Sequence, residues 1–230
     1  MKKTIITLLA IAMLMAFSAN SASAKGPKRT KVEMLTSMGK IVIELYNETP
    51  LHRDNFIKLA STGFYNDLLF HRVIEDFMIQ GGDPDSKDAP AGKLLGEGGP
   101  DYDIPAEINY PALYHKRGVL AAAREGDRTN PQRMSSGSQF YIVWGKEFTR
   151  QEIDDMAEAI QRGSRGQIIM SEEMKSAYMK HGGTPHLDGA YTVFGEVKKG
   201  FEVINAIQKV ATDKNDRPIE DVKILSVTVK

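Results

Sequence analysis

Residues 70–82, FHRVIEDFMIQGG, place a guanidinium and a carboxamide among large apolar side chains. Strand-like alternation puts Arg72 on the same face as Phe70 and Ile74. Such an arginine either stays in solvent or points at a ligand. A short break follows, and the chain then returns towards Gln80 and two glycines, which allow backbone angles and close approaches that other residues do not. We therefore expect two strands that meet at a bend and present one arginine and one amide together.

A second alternation of polar and apolar residues runs along residues 139–143. Phe140 and Ile142 fall on one face of this strand, and Gln139 and Tyr141 fall on the other. The first face is suited to a core. The second face offers an amide and an aromatic ring, which are binding groups rather than reactive ones.

The chain lacks the usual signatures of a hydrolase or a metal enzyme. It has no cysteine and no G-x-S-x-G elbow, and its serines near Gly137 have no histidine or carboxylate placed beside them by the sequence. Its five histidines have neither the i, i+4 nor the H-x-H spacing that would direct two imidazoles from one element at an ion. We therefore expect no metal and no cofactor.

A site with hydrogen-bond donors and apolar surface but no nucleophile suits a reaction in which no covalent bond changes. Rotation about an X-Pro amide is such a reaction, with a barrier of about 20 kcal/mol because the C–N bond is partly double. An enzyme accelerates this rotation by binding the twisted amide more tightly than the planar one.

Strand patterns dominate the rest of the chain, and helices are few. Branched, alternating runs on either side of Gly39 predict a hairpin with a tight turn. Thr49 before Pro50 predicts the N-terminus of a helix. The sequence lacks the strand-helix-strand alternation that is typical of a parallel sheet. We therefore expect a mainly β protein built as a closed antiparallel barrel. The predicted strands cover residues 31–37, 40–46, 70–74, 77–80, 118–123, 139–143, 191–197 and 222–230, and two helices cover residues 50–60 and 201–209.

Two segments depart from this strand pattern. Residues 83–116 are too rich in proline and glycine for strands and predict a long surface loop beside the site. Residues 146–183 are helical in pattern, with a capping box at Thr149 and a second N-cap at Ser171. This helical insertion either covers the barrel, contacts a client or mediates self-association. Residues 31–230 are expected to form one domain that includes it.

The first residues have the pattern of a secretory signal peptide. Lys2 and Lys3 precede an apolar run that is shorter than the roughly 20 residues of a membrane span, and small residues follow up to Ala24. We expect residues 1–24 to be removed on export to a periplasm or beyond the cell, and residues 25–30 to form a flexible leader. With 30 basic and 30 acidic residues the chain does not favour nucleic acid, and no membrane insertion is expected after cleavage.

Four stretches, FHRVIEDFMIQGG, GVLAAA, GSQFYIV and TPHLDGAYTVFGEV, with Tyr65 upstream, resemble those of a cyclophilin in composition and order. The resemblance extends over about residues 32–230, apart from the helical insertion. Cyclophilins are peptidyl-prolyl cis-trans isomerases built as an eight-stranded antiparallel barrel with two capping helices. The resemblance therefore implies this fold and activity, proline-containing unfolded polypeptides as substrates, and a bacterial, exported monomer.

The resemblance also implies roles for individual residues. Arg72 resembles the catalytic arginine, whose guanidinium hydrogen-bonds the proline end of the substrate and favours the twisted amide. Gln80 is expected to hold Arg72 and the peptide, and Phe77 belongs to the same catalytic set. The backbone at Ala123 and Arg124 would pair with the residue before proline. The expected substrate-binding residues are Met78, Ala123, Arg124, Gln139, Tyr141, His186, Leu187 and Tyr191.

Several positions differ from the best-known eukaryotic cyclophilins. His186 stands where they have a tryptophan, Tyr191 where they have a histidine, Tyr141 where they have a phenylalanine, and Arg124 where they have an asparagine. Because the tryptophan is associated with cyclosporin binding, we expect weak affinity for that drug and intact isomerase activity. His71 is interpreted as a packed or hydrogen-bonded structural residue. The rival interpretation of the chain is a cyclophilin-like module that grips proline segments as a holdase without useful turnover.

Overall fold

The alternating runs at the start of the domain fold as the predicted hairpin. The structure, a computed structural model that describes residues 28–230, pairs strand β1 (Lys31–Thr36) antiparallel with β2 (Gly39–Leu45). Ile41, Ile43 and Leu45 of β2 are fully buried, while Val42 and Glu44 between them are partly exposed. The period of two in the sequence thus directs one face of this hairpin into the core.

Most of the other predicted strands are present with shifted ends. The nine that follow the hairpin are β3 (Leu68–Leu69), β4 (Arg72–Ile74), β5 (Met78–Gly81), β6 (Asp103–Ile104), β7 (Val119–Ala122), β8 (Ser135–Ser136), β9 (Phe140–Val143), β10 (Val193–Lys199) and β11 (Lys223–Val229). One nine-stranded sheet has the order β3-β11-β1-β2-β10-β7-β9-β5-β4, and all its ladders are antiparallel. The strands β6 and β8 form a separate pair.

The prediction of eight strands in a closed barrel is not confirmed. The strand expected over residues 70–74 begins only at Arg72, because Phe70 and His71 belong to no ladder and separate β4 from β3. β3 pairs with β11 and β4 pairs with β5, so two strands that are neighbours in the chain are the two edges of the sheet. In the described residues the sheet is therefore a curled, nine-stranded half-barrel with no ladder between its edges.

Two helices cover the hydrophobic core on this sheet. The described α-helices are α1 (Pro50–Ser61), α2 (Arg150–Gly163), α3 (Glu172–His181) and α4 (Phe201–Ile207). Helix α1 contributes Phe56, whose ring lies 4.9 Å from that of Tyr65 and 5.6 Å from that of Phe140 between centroids. Helix α4 buries Val203, Ile204 and Ile207, as its sequence pattern predicts.

The N-terminus of α1 is capped by a distant carboxylate rather than by the predicted Thr49. The Thr49 side chain accepts no hydrogen bond from the helix, and its buried hydroxyl has no partner among the described residues. Instead, the backbone N–H groups of Leu51 and His52 each donate to Glu107 at 3.0 Å. Glu107 also lies 2.7 Å from Nδ1 of His52. A negative charge at this end complements the helix dipole, so Glu107 fixes the long loop to α1.

The helical insertion has its own small core beside the sheet. The capping box predicted at Thr149 and Glu152 is present, and the Ser171 side chain caps α3. The buried side chains of α2 and α3 pack together with two rings of the long loop, Tyr110 and Tyr114. The insertion is therefore packed against the domain and does not project from it.

The predicted signal peptide, residues 1–24, lies outside the described residues, as does the first half of the predicted leader, residues 25–27. Arg29 and Thr30, at the end of that leader, contact the domain. The Arg29 guanidinium donates to Glu48 at 2.7 Å, and the Thr30 carbonyl accepts from the N–H of Leu45. Among residues 28–230, none of the helices has the length and apolar character needed to span a membrane.

Candidate active site

Three adjacent strands bring an arginine, an amide and a tyrosine into one row. In the β4–β5 ladder Arg72 lies opposite Gln80, and in the β5–β9 ladder Gln80 lies opposite Tyr141. Residues opposite each other in antiparallel strands project to the same face of the sheet. Residues from three separate parts of the chain are thus neighbours through register alone.

The opposite face of these strands is part of the core. Phe140, Ile142, Val73 and Ile79 are buried in the main hydrophobic cluster, as the alternation along β9 predicts. The expectation that Phe70 shares a face with Arg72 is wrong, because Phe70 belongs to that same core. The alternation does not continue from Phe70 to Arg72, since the chain leaves the strand conformation between β3 and β4.

The row borders a cavity of about 320 Å³. This volume is near the lower end of the range of about 300–1,000 Å³ for small-molecule pockets, so it suits a group the size of one or two side chains. Nine of the eleven residues expected at the site line it: Arg72, Phe77, Met78, Gln80, Ala123, Arg124, Tyr141, Leu187 and Tyr191. Four further residues line it that the sequence analysis did not select: His71, Leu95, Gly96 and Glu97.

The apolar part of this cavity comes from a second hydrophobic cluster. Met78 and Tyr141 are buried in it, and Phe77, Leu187 and Tyr191 pack against it while remaining partly exposed. Burial raises the pKa of Tyr141 well above its usual range, so the hydroxyl keeps its proton. The cavity therefore offers uncharged, largely aromatic walls to a bound group.

Arg72 is the cation at the open side of the cavity. Its side chain is 41% exposed, and its Nε lies 3.4 Å from an oxygen of Asp216, which is itself 42% exposed. An ion pair this exposed and this long is worth little, at most about 1 kcal/mol. The guanidinium is therefore held only loosely and keeps donors free for a ligand.

Gln80 does not hold Arg72, contrary to the expectation. Its side-chain amide instead donates to Oε1 of Gln139 at 3.1 Å. Gln139 in turn donates to the carbonyls of Gly96 and Gly98 at 2.8 and 2.7 Å. Gln139 is buried outside the first cavity, and it lines the neighbouring one, as expected for a residue of the adjoining surface. The two glutamines connect the β5–β9 ladder to the loop that forms the far wall.

The backbone groups expected to pair with substrate are only partly available. The N–H of Ala123 donates to the Gln139 carbonyl at 3.0 Å, and its own carbonyl accepts from Ser136 at 2.9 Å. The backbone N–H and carbonyl of Arg124 have no hydrogen bond within the described residues. The Arg124 side chain is tied down, because Nε donates to the Ala190 carbonyl and the guanidinium lies 4.4 Å from the centroid of the Tyr191 ring.

His186 is not in the cavity. It is exposed, and its ring lies 5.5 Å from the ring of Phe77 between centroids, so it contacts a residue of the pocket wall without lining the cavity.

His71 borders the cavity, although sequence reasoning assigned it only a structural role. Its side chain is 3% exposed, and neither ring nitrogen has a hydrogen-bond partner among the described residues. Burial lowers the pKa of His71 to about 4, so the ring is neutral at physiological pH. It is packed as expected but not hydrogen-bonded. Its position directly before Arg72 was the only signal in the sequence.

The arrangement combines an apolar pocket with hydrogen-bond donors that are available to a ligand. In the described residues no group of three or more histidine, aspartate and glutamate side chains could hold a metal ion. The cavity can bind a small apolar ring while Arg72 and the free backbone of Arg124 offer hydrogen bonds beside it. Such a site can stabilise a twisted conformation of a bound group without transferring a proton or forming a covalent bond.

Comparison with known proteins identifies the family. The family model for "Cyclophilin type peptidyl-prolyl cis-trans isomerase/CLD" matches residues 31–229. The chain belongs to the cyclophilin family. This cyclophilin is 37% identical over 202 residues to "Peptidyl-prolyl cis-trans isomerase-like 1" of Neurospora crassa, across 87% of this chain and 94% of that relative. The protein of the same name from Aspergillus fumigatus is 35% identical over 202 residues, across 87% and 95% of the two chains.

A solved structure supports the same conclusion. The crystal structure of a cyclophilin type peptidyl-prolyl cis-trans isomerase from Cryptosporidium parvum superimposes with a TM-score of 0.61 at 26% identity, covering 88% of this cyclophilin and 98% of that chain. The family and a mainly β, cyclophilin-like fold are therefore confirmed, whereas the closed eight-stranded barrel is not. The activity of this cyclophilin is peptidyl-prolyl cis-trans isomerisation.

Proposed function

We propose that this cyclophilin accelerates rotation about X-Pro bonds in exported proteins, with Arg72 as the catalytic group and Gln80 and Phe77 beside it. The substrate proline enters the cavity between Phe77, Met78 and Leu187, above the ring of Tyr141. Burying an apolar side chain of this kind is worth about 1.5–3 kcal/mol, which holds the ring while the rest of the peptide turns.

Arg72 lowers the barrier by stabilising the twisted amide. Twisting removes the conjugation of the C–N bond and localises a lone pair on the proline nitrogen. The guanidinium donates to the proline end of the substrate and is charged at any physiological pH, so no proton transfer is needed. The free backbone groups of Arg124 pair with the residue before the proline, and Gln139 lines the adjoining surface.

One observation carries this proposal. Arg72 stands one strand from Gln80 and two strands from Tyr141 on the same face, at the open side of an apolar cavity. Its only ionic partner within the described residues is the weak contact to Asp216. A pure proline-binding module has no need of a free cation there, which favours the enzyme over the holdase.

The test is an isomerisation assay on a short X-Pro peptide with the purified chain. We expect Arg72→Ala to lower kcat/KM by about tenfold to a hundredfold, since a hydrogen bond from a charged donor is worth about 1.5–3 kcal/mol. Arg128→Ala, an exposed arginine outside the cavity, is the control and should match the unaltered chain. If all three proteins accelerate cis-trans exchange equally, Arg72 is not catalytic. If all three bind the peptide but none accelerates exchange, the holdase interpretation is correct.

Export of the chain as a monomer is also part of the proposal. The support for export is the sequence of residues 1–24, with two lysines, a short apolar run and small residues before the expected cleavage site. N-terminal sequencing of the protein recovered from the periplasm or medium should begin after Ala24.

The position of His186 additionally supports weak cyclosporin binding, and nanomolar affinity would contradict it.

A further inference from the structure

A buried line of hydrogen bonds joins the cavity to the helical insertion. The Tyr141 hydroxyl lies 2.9 Å from Nε2 of His115. Nδ1 of His115 lies 3.1 Å from Oδ1 of Asp188, and the His115 backbone N–H donates to the same oxygen at 2.8 Å. The Tyr178 hydroxyl donates to Oδ2 of Asp188 at 2.7 Å. All four side chains are buried, and we call them the polar line.

The partners fix the direction of every hydrogen bond in the polar line. A carboxylate only accepts, so Nδ1 of His115 carries the proton that points at Asp188. In the neutral ring Nε2 is then the acceptor, and the Tyr141 hydroxyl donates to it. Tyr178 is the second side-chain donor to Asp188. Each hydrogen bond of the polar line thus has one defined donor. Removal of any member leaves a buried polar group without a partner.

The two ends of the polar line belong to different parts of the molecule. Tyr141 forms part of the cavity, and Asp188 directly follows Leu187, which also lines the cavity. Tyr178 lies on α3, where its ring packs edge-on against those of Tyr114 and Phe148 in the core of the insertion. The insertion therefore reaches Tyr141 through hydrogen bonds and Leu187 through its chain neighbour Asp188, and not only through general packing.

We propose that helices α2 and α3 brace the proline pocket through Tyr178, and that His115 and Asp188 are positioning residues for Tyr141 and Leu187. This inference rests on the proposed role of the cavity as the proline site. The insertion thus sets how tightly the pocket holds the substrate ring, whereas Arg72 lies away from the polar line and acts independently of it.

Tyr178→Phe removes the hydroxyl at the far end and retains the ring in its cluster. We expect kcat/KM for a short X-Pro peptide to fall by about threefold to tenfold, mainly through a higher KM, because one hydrogen bond to a charged group is lost and the pocket loosens. Tyr114→Phe is the matched control, since Tyr114 lies in the same cluster and its hydroxyl makes no hydrogen bond among the described residues. Its kcat/KM should not change.

A double-variant cycle separates positioning from simple destabilisation. In a Tyr141→Phe background the hydrogen bond from the polar line to Tyr141 is already lost, and only the connection from Asp188 to Leu187 remains. Adding Tyr178→Phe should then lower kcat/KM by a smaller factor than it does in the unaltered chain, although it still lowers the melting temperature. Penalties that multiply in the double variant, or an unaffected Tyr178→Phe, would overturn the proposal. If Arg72→Ala lowers kcat/KM and Tyr178→Phe does not, the bracing role of the insertion is refuted and the proposed function stands. If Arg72→Ala leaves kcat/KM unchanged, the proposed function is refuted.

A second measurement needs no variant and so does not depend on folding of Tyr178→Phe. Nitrogen-15 NMR of His115 in the unaltered chain should show the proton on Nδ1, and both ring signals should shift when an Ala-Pro peptide saturates the cavity. Signals that show the proton on Nε2, or that do not move on saturation, contradict the proposal.

Discussion

Gln139 organises the rim of the site although it does not itself line the cavity proposed to bind proline. One amide accepts from Gln80 and donates to two carbonyls of the loop opposite, at Gly96 and Gly98. The same loop is held from the other side by Asp83, which accepts from the Gly96 N–H. The far wall of the cavity is thus an irregular segment that two polar side chains keep in place.

Gln139→Ala should therefore disturb catalysis more than its distance from the pocket implies. It breaks three hydrogen bonds, each worth about 0.5–1.5 kcal/mol, and releases both Gln80 and the loop. We predict a drop in kcat/KM of about tenfold together with a lower melting temperature. Gln161→Ala, on the exposed surface of α2, is the control and should leave both unchanged. An unchanged kcat/KM in Gln139→Ala would show that the loop wall is not needed.

Residue types were easier to foresee than residue contacts. The resemblance to cyclophilins identified nine residues that line the cavity, and the readable alternation of the strands pointed separately to Arg72, Gln80 and Tyr141. It did not show that Gln80 contacts Gln139 and not Arg72, since the two glutamines are 59 positions apart. His71 was not expected at the cavity, because alternation assumes a continuous strand and the chain leaves the strand conformation between β3 and β4.

The turn between β5 and the next loop depends on one glycine. Gly82 has a φ of +94°, and a Cβ on it would lie 2.3 Å from the carbonyl oxygen of Ser138. That carbonyl belongs to the segment leading into β9. The close approach of these backbones lets the Ser138 hydroxyl donate to the Gly82 carbonyl at 2.8 Å.

Gly82→Ala should consequently be among the most destabilising single changes. We predict a loss of about 3 kcal/mol in the free energy of unfolding, from backbone strain together with the clash. The matched control is Gly92→Ala: its φ is also positive, at +77°, but no atom lies within 4 Å of the added Cβ. It should cost only about 1–2 kcal/mol. Equal losses in chemical denaturation would show that the Ser138 contact is unimportant.

Elements with local signals were predicted well, and those defined by distant partners were not. The capping box of α2 and the glycine turn of the first hairpin are encoded within a few residues. Thr49 and Pro50 correctly marked where α1 begins, but Glu107 caps its N–H groups from 55 positions away, so no local pattern marks that contact. The predicted number of strands was also wrong, because β3 is a separate strand that pairs with β11, and this contact joins residues that are far apart in the chain.

The stability of the whole molecule should fall in acid because of buried histidines. Burial lowers the pKa of His71 to about 4 from 6.5, despite the opposing influence of Asp83, while Arg72 and Arg217 lower it further. Burial also lowers the pKa of His52, although the contact with Glu107 partly offsets the effect. Each of these rings takes up a proton less readily in the folded chain than in the unfolded one.

The pH window follows from these directions. Above about pH 6.5 both states hold His71 neutral and its contribution is constant, but between pH 6.5 and 4 only the unfolded chain gains the proton. The free energy of unfolding should therefore drop in this window, by roughly 1.4 kcal/mol per pH unit for His71 alone. His71→Leu should flatten the curve measured by urea denaturation, while the control His181→Leu, at an exposed histidine, should not. A curve for His71→Leu that parallels the unaltered chain contradicts this assignment.

In the proposed function the apolar cavity binds the proline ring, and Arg72 stabilises the twisted amide. NMR exchange spectroscopy on an X-Pro peptide that saturates the protein measures the rate of cis-trans rotation on the enzyme separately from affinity. We predict that Arg72→Ala slows this rotation by about tenfold to a hundredfold while the Kd changes by less than about threefold, because the apolar walls remain and only a charged hydrogen bond is lost. An unchanged rotation rate in saturated Arg72→Ala would contradict the account.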